Sequence, residues 1–575
     1  MLITILAAQP TLAAPLELDK FLEVEALATP ALIESTAGGR TLADFTDYSV
    51  EGIQTEVRKK NHLLEMLRSI DRSALPHKYQ VTYDVIEWDA QQFIRRAEFI
   101  WLQFPYTPYQ FLFRGPNSVL TQFQFRSPHD ARRYLHLVDR YAVAVSSIID
   151  YIDDQSAQDI RVQRDAAKML QGWLTDFAQA PEDSFAWPSN ERLKALPPGQ
   201  VAEFRARLKR GIEQSINPAL GDLAGKFDID YQQRAPERNG LYQYPQGKAY
   251  YRFLVQNEML PNMSPEEAFT IVQRSLDQIE QELRVLRSQM GYFGTRAEFD
   301  RQFVQRPEFL AETPADVEAT YMAHMAKIDP FVDKLFCRSL PYGYGVQRAE
   351  PKEEAALTFG LAGTLQGPPK KGMYFYNGSN LAERPMVPAQ ALIYHELAPG
   401  HYLQSAFRSI SDQITDYPRQ NGAYEEAWAD YAQMLAYEMG VFDTPQARYA
   451  RLLFVSMFYA RSLADIGVNY YGYDFEWGIK NLQRYTAEAE SLNRRSLMRD
   501  TTDWQAQILP YAIGSQQMLR LREKARFELG ERFDERRFND AVLSVGSVAL
   551  GVLASHVDWF IKQELAGGAP GICND

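Results

Sequence analysis

The run His395-Glu396-Leu397-Ala398-Pro399-Gly400-His401 constrains this 575-residue chain more than any other stretch, because it sets two imidazoles and a carboxylate within reach of one metal ion. A catalytic zinc takes three ligands from His and carboxylates and keeps a further position for water, which it makes acidic enough to ionise near neutral pH. A Glu beside the first ligand can then serve as general base, as in H-E-x-x-H metalloproteases. Here the second His stands six residues after the first, and at about 100° per residue an ideal helix would turn it roughly 120° away. One regular helix would not aim both rings at one ion. Pro399 relieves the conflict, since its ring clashes with the carbonyl of His395 and removes the hydrogen bond that carbonyl would accept. Gly400 adds backbone freedom. The spacing predicts a helix that ends or bulges at Ala398 to Gly400, swings His401 back toward His395, and has Pro388 to Tyr394 as its buried start. Only eight His occur in the sequence, so two beside a Glu in one short window are hard to read as unrelated capping and core residues.

A third ligand should come from a second helix. The stretch Tyr424 to Glu438 is rich in helix formers and free of Gly and Pro. Glu426 and Asp430 share a face at i,i+4. One acid could ligate and the other hold a histidine ring, and Glu426 is the preferred ligand; a solvated acidic face is the plainer alternative.

These residues resemble a known family. Residues 394–404 look like the H-E-x-x-P-G-H-x-x-Q signature of the bacterial family called domain of unknown function 885, grouped with the zincin metallopeptidases. Glu426-Ala427-Trp428-Ala429-Asp430-Tyr431 resembles its E-G-W-A-x-Y, with Ala427 in place of Gly. Tyr511-Ala-Ile-Gly514, Leu521-Arg522, Leu529-Gly530, Phe533-Asp534 and Phe538-Asn539-Asp540 resemble its C-terminal pattern. The resemblance covers most of residues 20 to 565, weakly in the N-terminal half and strongly from about 370. It implies a mainly α, zincin-like metallopeptidase fold with a deep cleft and few short strands, Zn2+ on His395, His401 and Glu426, and Glu396 as the base. Two departures stand out: Asn469 and Asn539 occupy positions where the family usually has His. Asn can donate a hydrogen bond but carries no proton or positive charge.

Further site candidates follow from chemistry. The Tyr511 phenol could donate to a developing oxyanion, or simply pack. Arg461 and Arg522 could grip a substrate carboxylate, or pair with acids such as Asp465 and Glu523. Phe375-Tyr376-Asn377 could form an edge strand along which an extended peptide lies.

Length and 46% apolar content permit one or more large cores. Residues 1–20 read as a signal-peptide remnant or disordered N-terminus, 21–240 as an N-terminal helical subdomain and 241–575 as a metal-binding catalytic subdomain, with 21–575 forming one integrated unit. Helical periodicity marks 265–289, 315–327, 446–469 and 503–529. Punctuation at 195–200, 340–345 and 367–372 marks turns, and the softest boundary falls near 230–245. The formal charge of -13 argues against a nucleic-acid partner. The basic clusters 58–60 and 205–210 have acids beside them and read as solvated helix faces. No apolar run is long enough for a membrane span; Val542 to Ser555 comes nearest. Thr11-Leu-Ala-Ala-Pro15 resembles a cleavage site without a basic segment before it. With the exported character that the family resemblance implies, this favours a periplasmic or secreted protein over a cytoplasmic one. Two cysteines, Cys337 and Cys573, imply no disulfide framework.

Three functions fit these features. The foremost is a zinc peptidase acting on short peptides. The second is a metal-dependent amidohydrolase acting on a small non-peptide amide. The third is a catalytically silent metal-binding protein, motivated by Asn469 and Asn539. The oligomeric state is not legible.

Overall fold

Capped, amphipathic helices build most of the chain, with 70% helix and 3% strand. The computed structural model describes residues 13–29, 32–34, 40–42, 45–108, 110–111, 115–338, 343–349, 354, 357, 359–365 and 371–567. The helix Pro265–Gln289 shows how the sequence dictates these elements. Ser264 caps its start by accepting from the Glu267 amide, Pro265 occupies the first turn, and Ala268, Val272, Leu276, Ile279, Leu283 and Leu286 form one buried stripe. That stripe packs on the helix Pro445–Ile466, which is buried nearly all round. The long helix Pro128–Ala157 starts with a reciprocal capping box between Ser127 and Asp130. Buried apolar side chains from Phe21 to Ile561 belong to one continuous cluster.

Strand structure among the described residues is confined to two small sheets. β1 (Leu32–Glu34) pairs antiparallel with β2 (Arg40–Leu42). The second sheet has the order β3–β5–β4, with β3 (Gly343–Arg348) parallel and β4 (Gly360–Leu365) antiparallel to the central β5 (Lys371–Tyr376). The helix His401–Ile410 packs against both β4 and β5.

Several expectations are corrected. Phe375 and Tyr376 lie in the central strand, with ladders on both sides, so they are not an edge. The run 503–529 is not one helix. A π-helical turn, Arg499–Asp503, is followed by a break in which Ala506 has φ 64°, then by a second π-helical turn, Pro510–Gly514, and the helix Ser515–Leu529. Apolar periodicity persists across this break because each piece buries a face in the same core, and Pro510 cannot continue the preceding backbone bonds. The run from Val542 is likewise split between the helices Glu535–Ser544 and Leu550–Leu565. Of the expected turn 367–372, Lys371 and Gly372 begin β5, while 367–370 lie outside the described residues, as do 340–342 of the other turn and residues 1–12. No helix among the described residues is long and apolar enough to cross a membrane. Cys337 is disulfide-bonded; Cys573 lies outside the described residues.

Candidate metal centre

The helix Ala389–Glu396 is buried from Ala389 to His395 and ends at Glu396, two residues before the expected break. Leu397 leaves helical geometry (φ -104°, ψ -97°), the Ala398–Pro399 peptide is cis, and a new helix, His401–Ile410, starts after Gly400. Gly400 is required by close approach: a Cβ there would stand 1.8 Å from the His395 carbonyl oxygen. The Trp428 indole donates to the Pro399 carbonyl at 3.1 Å and fixes the corner. This sharp corner, in place of a continuous helix, puts the His395 and His401 rings at a centroid separation of 4.8 Å and nearly perpendicular, at 87°.

Glu426 comes from the helix Gly422–Glu438, which Asn421 caps by accepting from the Tyr424 amide. One carboxylate oxygen, Oε2, stands 3.4 Å from His395 Nε2 and 3.2 Å from His401 Nε2. One donor atom from each of the three residues lies within 4.8 Å of the others. Bonds of about 2.0–2.1 Å in a tetrahedral shell hold neighbouring donors roughly 3.4 Å apart, so the spacing suits a zinc-sized ion. Glu426 Oε2 is buried and has no hydrogen-bond partner. A buried carboxylate oxygen facing two imidazole nitrogens without a bond between them is what a cation would satisfy. His395 Nδ1 is also buried without a partner.

Burial opposes the charge on His401, but the Glu426 carboxylate beside it outweighs burial and pushes its pKa up to about 9. Burial keeps His395 below the ordinary histidine value. Glu426 is itself desolvated, yet the two imidazoles, His401 foremost, hold its carboxyl below the usual carboxylate range. Glu396 behaves differently. Burial, reinforced by Glu426, raises it to about 7, although His401 and the Ala362 amide of β4 pull the other way.

These residues line a cleft of about 590 Å³ that also takes in Gly360 to Gly363 of β4, Phe454, Phe458, Arg461 and Tyr511. The Tyr511 ring is parallel to His395 at 5.8 Å and its phenol lies beside Glu426, with burial and that carboxylate both raising its pKa far above the ordinary value. The Pro510–Gly514 turn approaches the Glu426 helix closely, since a Cβ on Gly514 would stand 2.7 Å from that of Ala427. Small residues on both sides thus bring Tyr511 to the site.

The remaining sequence candidates, Arg461 apart, fall elsewhere. Asp430 is buried on the Glu426 helix, bonded to Gln433 at 3.3 Å, and holds neither histidine. Arg461 does line the cleft, and its acid is Asp500, not Asp465. Arg522 lies away from the cleft and is clamped by Glu438 and Glu535. Residues missed from sequence include Glu425, whose carboxylate accepts from Ser547 at 2.7 Å, and the backbone of β4. Adjacency to Glu426 was a usable signal for Glu425; nothing local marks β4.

A family model described as bacterial protein of unknown function (DUF885) matches residues 33–557. The chain belongs to this family. Two solved structures share its fold: a candidate lipoprotein from Colwellia psychrerythraea (20% identity, TM-score 0.79, covering 96% of this chain and 97% of that one) and a candidate lipoprotein of unknown function from Shewanella oneidensis (16%, 0.63, 96% and 99%). No curated protein matches the sequence.

Asn469 and Asn539 lie in the core and do not line the cleft. Asn469 donates to Asp465 at 2.7 Å and accepts from the Leu241 amide at 3.0 Å. Asn539 donates to the Leu335 carbonyl at 3.0 Å and accepts from the Tyr431 hydroxyl at 3.3 Å. Both side chains thus bond core segments through oxygen and nitrogen alike.

Proposed function

We propose that this protein is a metal-dependent peptide hydrolase of zincin-like type, with His395, His401 and Glu426 holding Zn2+ and Glu396 serving as general base. The observation that carries the proposal is the orphaned Glu426 oxygen between two imidazoles, with Glu396 on the same cleft wall. Bound zinc would supply Lewis acidity and a water acidic enough to attack near neutral pH.

The chain's own groups account for the rest. A carboxyl near 7 can accept a proton from water and return it to a leaving amine, which a carboxylate of ordinary pKa does less well at neutral pH. β4 is the edge strand that borders the cleft, through Gly360 to Gly363, and its backbone can pair with an extended peptide. The Tyr511 hydroxyl, buried beside Glu426, is the donor toward the carbonyl oxygen of the scissile bond. An extracytoplasmic location fits the disulfide-bonded Cys337 and the lipoprotein descriptions of the two structural relatives.

The test is a mixed short-peptide library incubated with zinc-loaded protein, with chelated protein and with Glu396→Gln. Cleavage lost on chelation and in the variant supports the proposal. Turnover of small non-peptide amides alone would redirect it to an amidohydrolase, and zinc bound without any turnover would make the chain a metal-binding protein.

A further inference from the structure

The helix Pro445–Ile466 presents Phe454, Met457, Phe458 and Arg461 to the cleft, an i, i+3, i+4, i+7 set on one face. Arg461 is 7% exposed. Its Nε and Nη2 donate to the two oxygens of Asp500 at 2.9 and 2.7 Å, which locks the plane of the guanidinium. Nη1 makes no hydrogen bond among the described residues and belongs to a side chain that lines the cleft. Arg461 is also within electrostatic reach of the Tyr511 phenol, which lies beside Glu426. A buried cation with a fixed plane and one uncommitted donor nitrogen therefore lines the same cleft as the candidate metal ligands.

A second cavity, of about 140 Å³, adjoins this end of the cleft and shares Phe359, Phe454 and Met457 with it. Its walls are largely apolar and include Val387, Leu453 and Leu492. Met457 stands one helical turn before Arg461, so the annex and the guanidinium are neighbours along the same helix. Glu488 also lines the annex, with Oε1 buried and unbonded, and disfavours an acidic occupant.

We propose that the cleft takes peptides by their free C-terminal carboxylate, held by Nη1 of Arg461, with an apolar terminal side chain lodged past Met457 in the annex. This rests on the hydrolase reading and narrows it to a carboxypeptidase of short peptides. In the step implied, water's oxygen joins the carbonyl carbon before the last residue and the C–N bond breaks. Glu396 passes the water's proton to the leaving nitrogen, releasing one amino acid and a peptide shorter by one residue.

The experiment measures binding apart from turnover. Zinc-loaded Glu396→Gln protein is titrated calorimetrically with Ala-Ala-Leu as the free acid, as its C-terminal amide, and with Ala-Ala-Asp acid. The expected result is at least roughly tenfold tighter binding of the Leu acid than of either alternative, the scale of one charged hydrogen bond. Adding Arg461→Lys keeps a cation for Asp500 but removes the fixed donor nitrogen, and should shrink the acid-over-amide preference to less than about twofold. Arg461→Gln gives the same readout, with melting temperature reporting whether its fold survives. Equal affinity for acid and amide, or a preference untouched by Arg461→Lys, overturns the proposal. Release of internal fragments in place of terminal amino acids by the wild type overturns it as well. A full acid preference with no turnover would uphold the carboxylate site and remove the hydrolase reading.

Discussion

Two pairs of histidines meet inside this protein, and they have opposite chemistry. His77 and His556 are joined by a 2.9 Å contact from Nε2 to Nδ1, His77 stacks on Trp559 at 3.8 Å, and His556 Nε2 lies 3.0 Å from the Ala541 carbonyl. A carbonyl only accepts, so His556 carries its proton on Nε2, and its Nδ1 accepts a hydrogen bond from the Nε2–H of His77. Both rings are neutral and satisfied. Burial, with His77 and Arg419 close by, lowers His556 to about 3, and burial with Arg72 and Arg419 lowers His77 to about 4. His395 and His401 are as deeply placed, yet His401 is driven up to about 9 and Glu426 Oε2 stays unbonded between them. The difference lies in the acids beside them, Glu426 foremost. Proximity of imidazoles alone does not mark a candidate metal site; the proposal rests on a carboxylate oxygen aimed at both rings and bonded to neither.

The sharpest way to break the contrast is to silence the group that only the second pair has beside it. Glu396→Gln should cut peptide turnover by roughly 10²–10⁴-fold, the range of general-base catalysis, with zinc content unchanged by elemental analysis. Unchanged turnover would remove Glu396 from the chemistry. Next in size, zinc at about a hundred times its Kd should stabilise the protein by about 2.7 kcal/mol in chemical denaturation. That gain should vanish in His401→Ala and persist in His77→Phe; its persistence in both would place the ion elsewhere.

Asn539→Ala sharpens the line between cleft and core. It removes partners from the Leu335 carbonyl and the Tyr431 hydroxyl and should cost about 1–3 kcal/mol, while turnover per folded molecule stays that of the wild type. A selective loss of activity would return Asn539 to the site. The smallest effect is acid sensitivity of the first pair. The folded-state values of His77 and His556 lie below the ordinary 6.5, so the unfolded chain takes up protons first as pH falls. Their contribution is intact above about 6.5 and is lost as pH falls toward about 4. His77→Phe should therefore show a shallower loss of denaturation midpoint between pH 7 and pH 5 than the wild type. An identical slope would mean that other groups carry the acid response.

Legibility from sequence followed the range of the interactions. His395, Glu396, His401 and the breaking role of Pro399 and Gly400 are local, and the corner they predict differs from the structure only in where the first helix ends. Glu426 was readable only as one of two acids, with Asp430, that helix periodicity puts on one face, and the structure sets Glu426 beside the histidines. The surroundings were not. Strand order is a long-range property, so the aromatic run Phe375 to Asn377 looked like an edge when the cleft edge is the glycine-bearing β4. Asp500 reaches Arg461 across 39 residues, and no spacing rule selects it over Asp465, four residues away on the same helix. The run 503–529 looked continuous because two π-helical turns and a helix share one buried side. Asn469 and Asn539 seemed to speak about catalysis when their hydrogen bonds tie core segments together.

The most direct measurement is zinc stoichiometry after equilibrium dialysis of the wild-type protein, set beside Glu426→Ala and His77→Phe. The account predicts one zinc per chain in the wild type and in His77→Phe, and a tight site lost in Glu426→Ala. A wild type that retains no zinc, or a Glu426→Ala protein that retains it at full affinity, would contradict the central claim.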